Sequence, residues 1–419
     1  MNIQNYKHFI ENMSSVKFFN RWTLFYTIIL IVSLFYNSIY TFQFYDFSDL
    51  FINYQGGFIR RGLLGECLLW LHSHGLNPIY VAYAMSLVAY GIIVLFMVRH
   101  FRKRGYAVGL LPVSFLLGGV GVFGLAFFRR DFLILCLFLL IVRLWKRLSL
   151  GVWLIVGNIL AMIAILSHEV FAFWALPLLL LITHLHTRHW LKALAGWVPS
   201  ILVFLLCLYE SGNIMQYHLI RKSTEVFLEY PNVIDFLSFD KGYVMKFHLH
   251  YNFLDSTHHI PNVIGSVASI LLAIYISTMA NVVYRTSTVK NSQENLCYSA
   301  LFLGLLICLL PMLTILSTDY TRTLMYASLS SYIVIFSLTE KECNDLVPGF
   351  ILQWTGKVLA LIKRLLPPTR GKILFMVLFL GTVEWTGQGT FGVLRNSEIG
   401  NALMVIYKVM GKLIENISC

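Results

Sequence analysis

Long apolar runs separated by short polar blocks dominate the 419-residue chain. Most runs are roughly 17–22 residues long, the length at which an α-helix crosses a bilayer core about 30 Å thick. They predict eleven spans, near 22–41, 78–98, 107–127, 131–147, 149–167, 170–186, 190–209, 262–284, 296–316, 322–339 and 371–387. The predicted fold is therefore all-α, a polytopic integral membrane protein organised as a single membrane domain over 1–419. Five segments fall between or beyond the spans: a polar N-terminus 1–21, loops 42–77, 210–261 and 342–370, and a tail 388–419. In the first loop Leu63, Leu64, Cys67, Leu68 and Leu71 recur at helical spacing. That pattern predicts a short helix lying in the membrane interface. Segment 342–370 includes an amphipathic stretch ending at Pro367-Pro368, and the tail has room for another interfacial helix. The N-terminus is polar to about Asn20 and the first run is long enough to span, so no cleavable signal is expected. There is no fixed-period repeat and no segment that reads as a soluble domain.

Composition excludes a soluble chain. Hydrophobic residues make up 58% and charged residues only 12%, against about 25% charged in soluble domains. The net charge of +12 does not imply nucleic acid, because the basic residues lie in short blocks between apolar runs. With the N-terminus cytoplasmic, the inside segments hold 20 of the 32 lysines and arginines, and every block between paired spans agrees. Loops 42–77 and 210–261 and the tail 388–419 are then outside, and 342–370 is cytoplasmic. None of the seven cysteines forms a C-x-x-C pair, so neither a metal site nor a disulfide framework is implied.

Ionisable groups break this pattern at four places. A charge at membrane depth costs at least about 2.5 kcal/mol unless paired or wetted. The four are Asp46 and Asp49 with Arg60, Arg61 and Glu66; Arg129, Arg130 and Asp131; His168 and Glu169; and Asp319 with Arg322. The expected topology puts all four on the outer face. Each also has a local explanation. Asp46 and Asp49 can be a solvated loop face, and Arg60-Arg61 can meet lipid headgroups without specificity. The 129–131 stretch can be a polar turn with its own ion pair. His168 and Glu169 can be a hydrogen-bonded helix end, and Asp319 and Arg322 a weak i, i+3 pair. No H-E-x-x-H follows His168, which argues against a zinc protease.

Taken together, the four places suit phosphate chemistry. Arginine grips phosphate bidentately and stays charged. Five outer arginines suit a diphosphate headgroup whose tail remains in the bilayer. Gly56 and Gly57 would let backbone approach closely and present N–H groups beside Arg60 and Arg61. A carboxylate nearby, Asp46, Asp49, Glu169 or Asp319, would take a proton from an attacking sugar hydroxyl while arginines stabilise the departing lipid diphosphate. His168 would orient the acceptor. Loop 210–261 adds His218, His248, His250, His258 and His259 with Tyr217, Tyr230, Tyr243 and Tyr251, groups suited to a sugar face. The H-L-H and H-H pairs also raise metal binding, but a polar loop packed on the outer face is the expectation, and neither a metal nor a cofactor is assigned.

The "GGFIRRGLLGE" stretch after the first span, the "HE" after the fifth and the D-x-x-R before the tenth resemble multi-spanning proteins of bacterial surface-polysaccharide gene clusters. The broader likeness is to O-antigen polymerases and, more distantly, to GT-C glycosyltransferases. That resemblance implies a multi-pass protein of the bacterial inner membrane acting at its periplasmic face. It implies a polyprenyl-linked glycan substrate, membrane lipid around the chain, and other polysaccharide-assembly membrane proteins as partners. O-antigen polymerases handle the lipid diphosphate with outer arginines, which map here to Arg60, Arg61, Arg129, Arg130 and Arg322. GT-C enzymes place a catalytic acid in the first outer loop, matching Asp46 or Asp49, although this chain has D-x-x-D where many members have adjacent acids. The leading expectation is an enzyme that polymerises lipid-linked repeat units. A single-sugar GT-C transferase with a polyprenyl-phosphate donor shares the chemistry. A flippase or transporter would want charges near the midplane and inverted repeats, which the sequence lacks; a non-catalytic scaffold is the third class.

Overall fold

The computed structural model describes residues 16–40, 45–113, 115–118, 129–210, 212–228, 234–239, 241–249, 259–284, 292–317, 319–380 and 397–418. These residues are helical, with no strand among them. The helices are α1 (Val16–Tyr40), α2 (Gly62–Ser73), α3 (Pro78–Arg104), α4 (Asp131–Leu144), α5 (Leu150–Ser167), α6 (Val170–Thr187), α7 (Trp190–Gly196), α8 (Val198–Tyr209) and α9 (Ile214–Thr224). They continue as α10 (Lys241–Leu249), α11 (His259–Tyr284), α12 (Ser292–Cys308), α13 (Leu310–Thr314), α14 (Tyr320–Ser337), α15 (Glu340–Leu346), α16 (Gly349–Leu365), α17 (Arg370–Phe379) and α18 (Glu398–Ser418).

Among the described residues, five helices are long and apolar enough to cross a membrane: Lys17–Tyr36 within α1, α3, α5, α6 and Val267–Tyr284 within α11. The α7–α8 pair makes a sixth if its 60° bend lies within one span. Their outward faces are apolar at helical spacing; on α1, Leu24, Ile28, Ile31 and Phe35 are all exposed. A continuous stripe of that kind is what lipid covers. The chain is a multi-pass α-helical membrane protein.

The expected eleven spans are not all continuous helices. At 14 residues, α4 is about 21 Å long, short of the hydrocarbon core. The run 296–316 is divided at Leu309, where Pro311 enters the first turn of α13. Within the expected span 107–127, the described residues 107–113 and 115–118 form a 3₁₀ turn and bends. The rest of that span, residues 381–387 of the last one, and the start of the tail lie outside the described residues.

The bend between α7 and α8 has a local cause. Pro199 sits in the first turn of α8. Asn158 of α5 donates to Gly196 O at 2.7 Å and accepts from Ser200 N and Oγ at 3.2 and 2.7 Å. Its amide thereby satisfies backbone groups that a continuous helix would pair internally. At the centre of the bundle, α14 is buried on every side. Three of its serines bond to carbonyls one turn back, Ser330 to Tyr326, Ser331 to Ala327 and Ser337 to Ile333, which helps a hydroxyl-rich helix sit among apolar neighbours. It packs on α12, α4, α6 and α11, with its first turn directed at the charged residues described next.

Candidate functional site

The expected helix in the first loop is present as α2, but its entry is more constrained than its hydrophobic spacing suggests. Arg61, the residue before it, has φ 66°, a left-handed conformation that is uncommon for a side-chain-bearing residue. Gly62 follows because a Cβ there would lie 2.2 Å from the Tyr54 ring. One turn on, a Cβ at Gly65 would lie 2.1 Å from Ile52 O. These two glycines let α2 press against residues 51–54. Glu66 accepts from Tyr54 N and Gln55 Nε2, both at 2.9 Å, and so holds this turn.

The four charged places, far apart in sequence, meet in one network. Arg61 grips Glu169 bidentately, Nε to Oε2 at 2.8 Å and Nη2 to Oε1 at 2.6 Å. Arg60 reaches the same Oε1 at 3.3 Å. Asp49 lies 3.4 Å from Arg61 Nη1 and 3.4 Å from Arg130 Nε. On the other side, Arg322 grips Asp131 bidentately at 3.1 and 2.7 Å, and Tyr326, one turn further along α14, donates its hydroxyl to the same carboxylate. Asp319 caps α14 by accepting from Arg322 N at 3.1 Å. Its Oδ2 stands 3.6 Å from Arg322 Nη1 and 3.5 Å from Arg129 Nη1. His168 joins the halves, with Nδ1 3.5 Å from Glu169 Oε2 and Nε2 3.5 Å from Arg322 Nη2.

The local explanations therefore account for little of the set. Asp131 pairs with Arg322 rather than with its sequence neighbours, and Arg130 turns to Asp49. Only the His168–Glu169 and Asp319–Arg322 contacts are local, and both belong to the wider network.

Two of the expected groups make other contacts. Arg130 is 0% exposed, and Nη1 donates to Arg61 O at 2.7 Å and Ser167 O at 2.5 Å. It is an internal strut that ties α4 to the first loop and the end of α5, out of reach of a headgroup. Gly56 lies against α9, where an added Cβ would come within 2.7 Å of Gln216 Cα. Gly57 has φ 99° and gives its N–H to Tyr54 O at 2.9 Å. The Gly57 N–H is thus committed within the turn that carries Arg60 and Arg61, while Gly56 allows α9 to pack close. The backbone of Asp46 belongs to the 3₁₀ helix Tyr45–Phe51, and its side chain lies outside the described residues.

Part of loop 210–261 folds back onto the first loop as helices. Gln216 donates to Phe58 O at 3.0 Å, Asn53 to Ser223 at 2.9 Å, and Arg60 N to Glu210 O at 3.0 Å. Tyr217 is buried and bonded to Asp235 and Arg221, so it offers no sugar-stacking face. His250, His258, Tyr230, Tyr251 and the side chain of His259 lie outside the described residues.

Exposure grades the network. Side chains of Arg60 and Arg61 are 29% and 24% exposed, and those of Arg129 and Arg322 are 17%. Burial alone would raise the Glu169 carboxyl, but Arg61 and then Arg60 hold it well below the usual carboxylate range. Burial opposes the charge of Asp49 too, and Arg130 and Arg61 outweigh it to keep that carboxylate ionised. Asp319 goes the other way: burial dominates its longer contacts with Arg322 and Arg129 and raises its carboxyl. His168 is pushed down by burial and then by Arg61, which keeps the ring neutral near pH 7.

Tyr326, Gly62 and Gly65 were not singled out by the sequence reading. Tyr326 is i+4 from Arg322 on the same helix face, and the glycines form G-x-x-G directly after the arginine pair. No protein-family model, curated protein or solved structure matches the chain.

Proposed function

We propose that this network is the headgroup site of a glycosyltransferase that uses a polyprenyl-diphosphate-linked oligosaccharide and polymerises surface-polysaccharide repeat units at the outer face of a bacterial inner membrane. The observation that carries the reading is the convergence of four sequence-distant charged places into one partly exposed cluster. Among the described side chains, five arginines and four carboxylates, with His168 neutral, leave that cluster a charge of +1. An isolated structural pair needs no such excess of arginines, whereas a diphosphate does.

Arg60, Arg129 and the accessible edges of Arg61 and Arg322 hold the diphosphate. Asp319 serves as base, because its carboxyl is raised and its contacts are the longest in its half of the network. It takes the proton from the acceptor hydroxyl as that oxygen bonds to the anomeric carbon. The bond from this carbon to the diphosphate oxygen breaks, and the lipid diphosphate leaves with its charge stabilised by arginine. Glu169 and Asp49 stay ionised and position Arg60 and Arg61. His168 keeps the two halves in register.

Purified protein supplied with undecaprenyl-diphosphate-linked repeats should give a ladder of polymer lengths. Asp319→Asn and Arg322→Lys should each lower turnover by about 10²-fold or more, the scale of losing a general base or a charge-stabilising donor. A single added sugar would instead favour the single-sugar transferase. Undiminished ladders in both variants, at normal folding, would remove the catalytic reading.

A further inference from the structure

An apolar cleft of about 340 Å³ opens among α11, α12, α13, the first residue of α14, and α16. Its walls include Ile270, Leu306, Ile307, Leu310, Tyr320 and Trp354. The α12–α13 wall runs from Leu303 to Thr314, about 16 Å at the helical rise per residue. This size lies within the range of small-molecule sites, about 300–1,000 Å³. Its lining is unsuited to ordered water, which needs two to four polar partners. The Thr314 hydroxyl is already committed to Leu310 O at 2.7 Å. Ile307 and Leu310 remain 59% and 51% exposed, so the rim is open on an apolar side.

Where the cleft ends decides what fits it. Tyr320 is the first residue of α14. Asp319 precedes it in the chain, and Arg322, two residues later, belongs to the charged network. The cleft thus ends at the residue next in sequence to Asp319, whose carboxylate contacts Arg322 and Arg129. The matching ligand has an anionic head and a long hydrocarbon tail, in one molecule.

We infer that this cleft holds the first part of the isoprenoid tail of the lipid diphosphate, leaving its headgroup beside Asp319, Arg322 and Arg129. The inference rests on the glycosyltransferase reading for its choice of headgroup, but the location of the tail is a separate claim. The seat also explains why a polar cluster and a dry channel share the start of α14: the head is positioned by charge and the tail by burial of apolar surface.

The test uses full-length protein in phosphatidylcholine nanodiscs and a farnesyl diphosphate analogue with a diazirine at the tail end. Photolabelling followed by peptide mapping should place the label on residues 303–314 or 267–274. Ile307→Trp and Leu310→Trp put bulk into the cleft at exposed positions, and each should reduce that labelling at least fivefold. Unlabelled farnesyl diphosphate should compete, and phosphatidylglycerol at the same concentration should not. Label mapped elsewhere, no labelling, or equal competition by phosphatidylglycerol would overturn the assignment. Cleft labelling without glycosyl transfer would retain the tail site and reject the enzyme reading. Transfer unaffected by both tryptophans, with label elsewhere, would do the reverse.

Discussion

Arg130→Met tests whether the fully buried arginine is a strut rather than a ligand for substrate. The substitution keeps a long, flexible side chain but strands Asp49 with Arg61 alone, at 3.4 Å. It also removes the donor shared by Arg61 O and Ser167 O. Breaking a buried ion pair on one side costs roughly 3–5 kcal/mol. Arg61 still compensates Asp49 in part, so the pair contributes the lower end of that range. Carbonyls deprived of a charged donor add to it, each by about 1–3 kcal/mol when no water replaces the donor. These terms are not additive across one network, and about 4 kcal/mol in total is expected. Asp49→Asn alone should cost less, because Arg130 keeps both carbonyls. The double variant should recover about 2 kcal/mol relative to the sum, since the stranded carboxylate is gone. Reversible unfolding in mixed detergent–lipid micelles, followed by tryptophan fluorescence, gives the cycle. A coupling under about 0.5 kcal/mol would refute the claim that these two residues act as a unit.

Three further outcomes are expected. His168 has its folded pKa below the ordinary value of 6.5, so the unfolded chain binds the proton more readily. Stability should therefore fall as pH drops below about 6.5, and His168→Gln should remove that slope in pH-dependent unfolding; an unchanged slope would assign it elsewhere. Gly65→Ala places a methyl 2.1 Å from a backbone oxygen, which cannot swing aside. It should destabilise by at least about 1–3 kcal/mol, whereas Gly75→Ala, with open space around it but φ 82°, should cost only backbone strain of about 1 kcal/mol; equal unfolding midpoints would contradict the packing account. Glu398, at the start of α18, accepts from Trp22 Nε1 at 2.6 Å, and burial pushes its carboxyl up to about 8. Its contribution is complete below the ordinary value of 4.5 and is lost as pH rises toward about 8, so Glu398→Gln should flatten that part of the stability profile measured by thermal unfolding.

The apolar periodicity made most helices legible, because lipid-facing and core-facing positions are both hydrophobic. The same property hid the interruptions. Leu309 and Trp197 sit inside uniformly apolar runs, and only Pro311, Pro199 and the remote Asn158 mark the breaks. Charge was the better guide to the site: a buried ion must find a partner, so isolated acids and bases in apolar surroundings point to one another. That reasoning pointed to residues that meet in the structure without ranking them. Arg60 and Arg130 look equivalent in sequence, yet one is partly exposed and the other is covered by the backbone of residues 61 and 167. Burial of that kind depends on long-range packing, which spacing does not encode. The contact of Gly56 and Gly57 with α9 is hidden for a related reason, since that surface lies far along the chain.

The grading of contacts bears on how a nearly compensated cluster can accept a multiply charged headgroup. A diphosphate cannot add to a set of fully committed arginines without displacing something. The short bidentate pairs, Arg61–Glu169 and Arg322–Asp131, and the buried Arg130 are costly to open. Arg60–Glu169 at 3.3 Å and Arg129–Asp319 at 3.5 Å are longer, and each arginine is partly exposed. Moving either guanidinium to phosphate leaves its carboxylate with another arginine: Glu169 keeps Arg61, and Asp319 keeps Arg322. The exchange leaves Glu169 and Asp319 each with an arginine partner. If Arg129 turned to such a headgroup, Asp319 would retain one cation fewer and its carboxylate would become more basic. Under the proposed function, binding a diphosphate and readying Asp319 as base would be linked through one shared arginine, with the bidentate pairs beneath them intact.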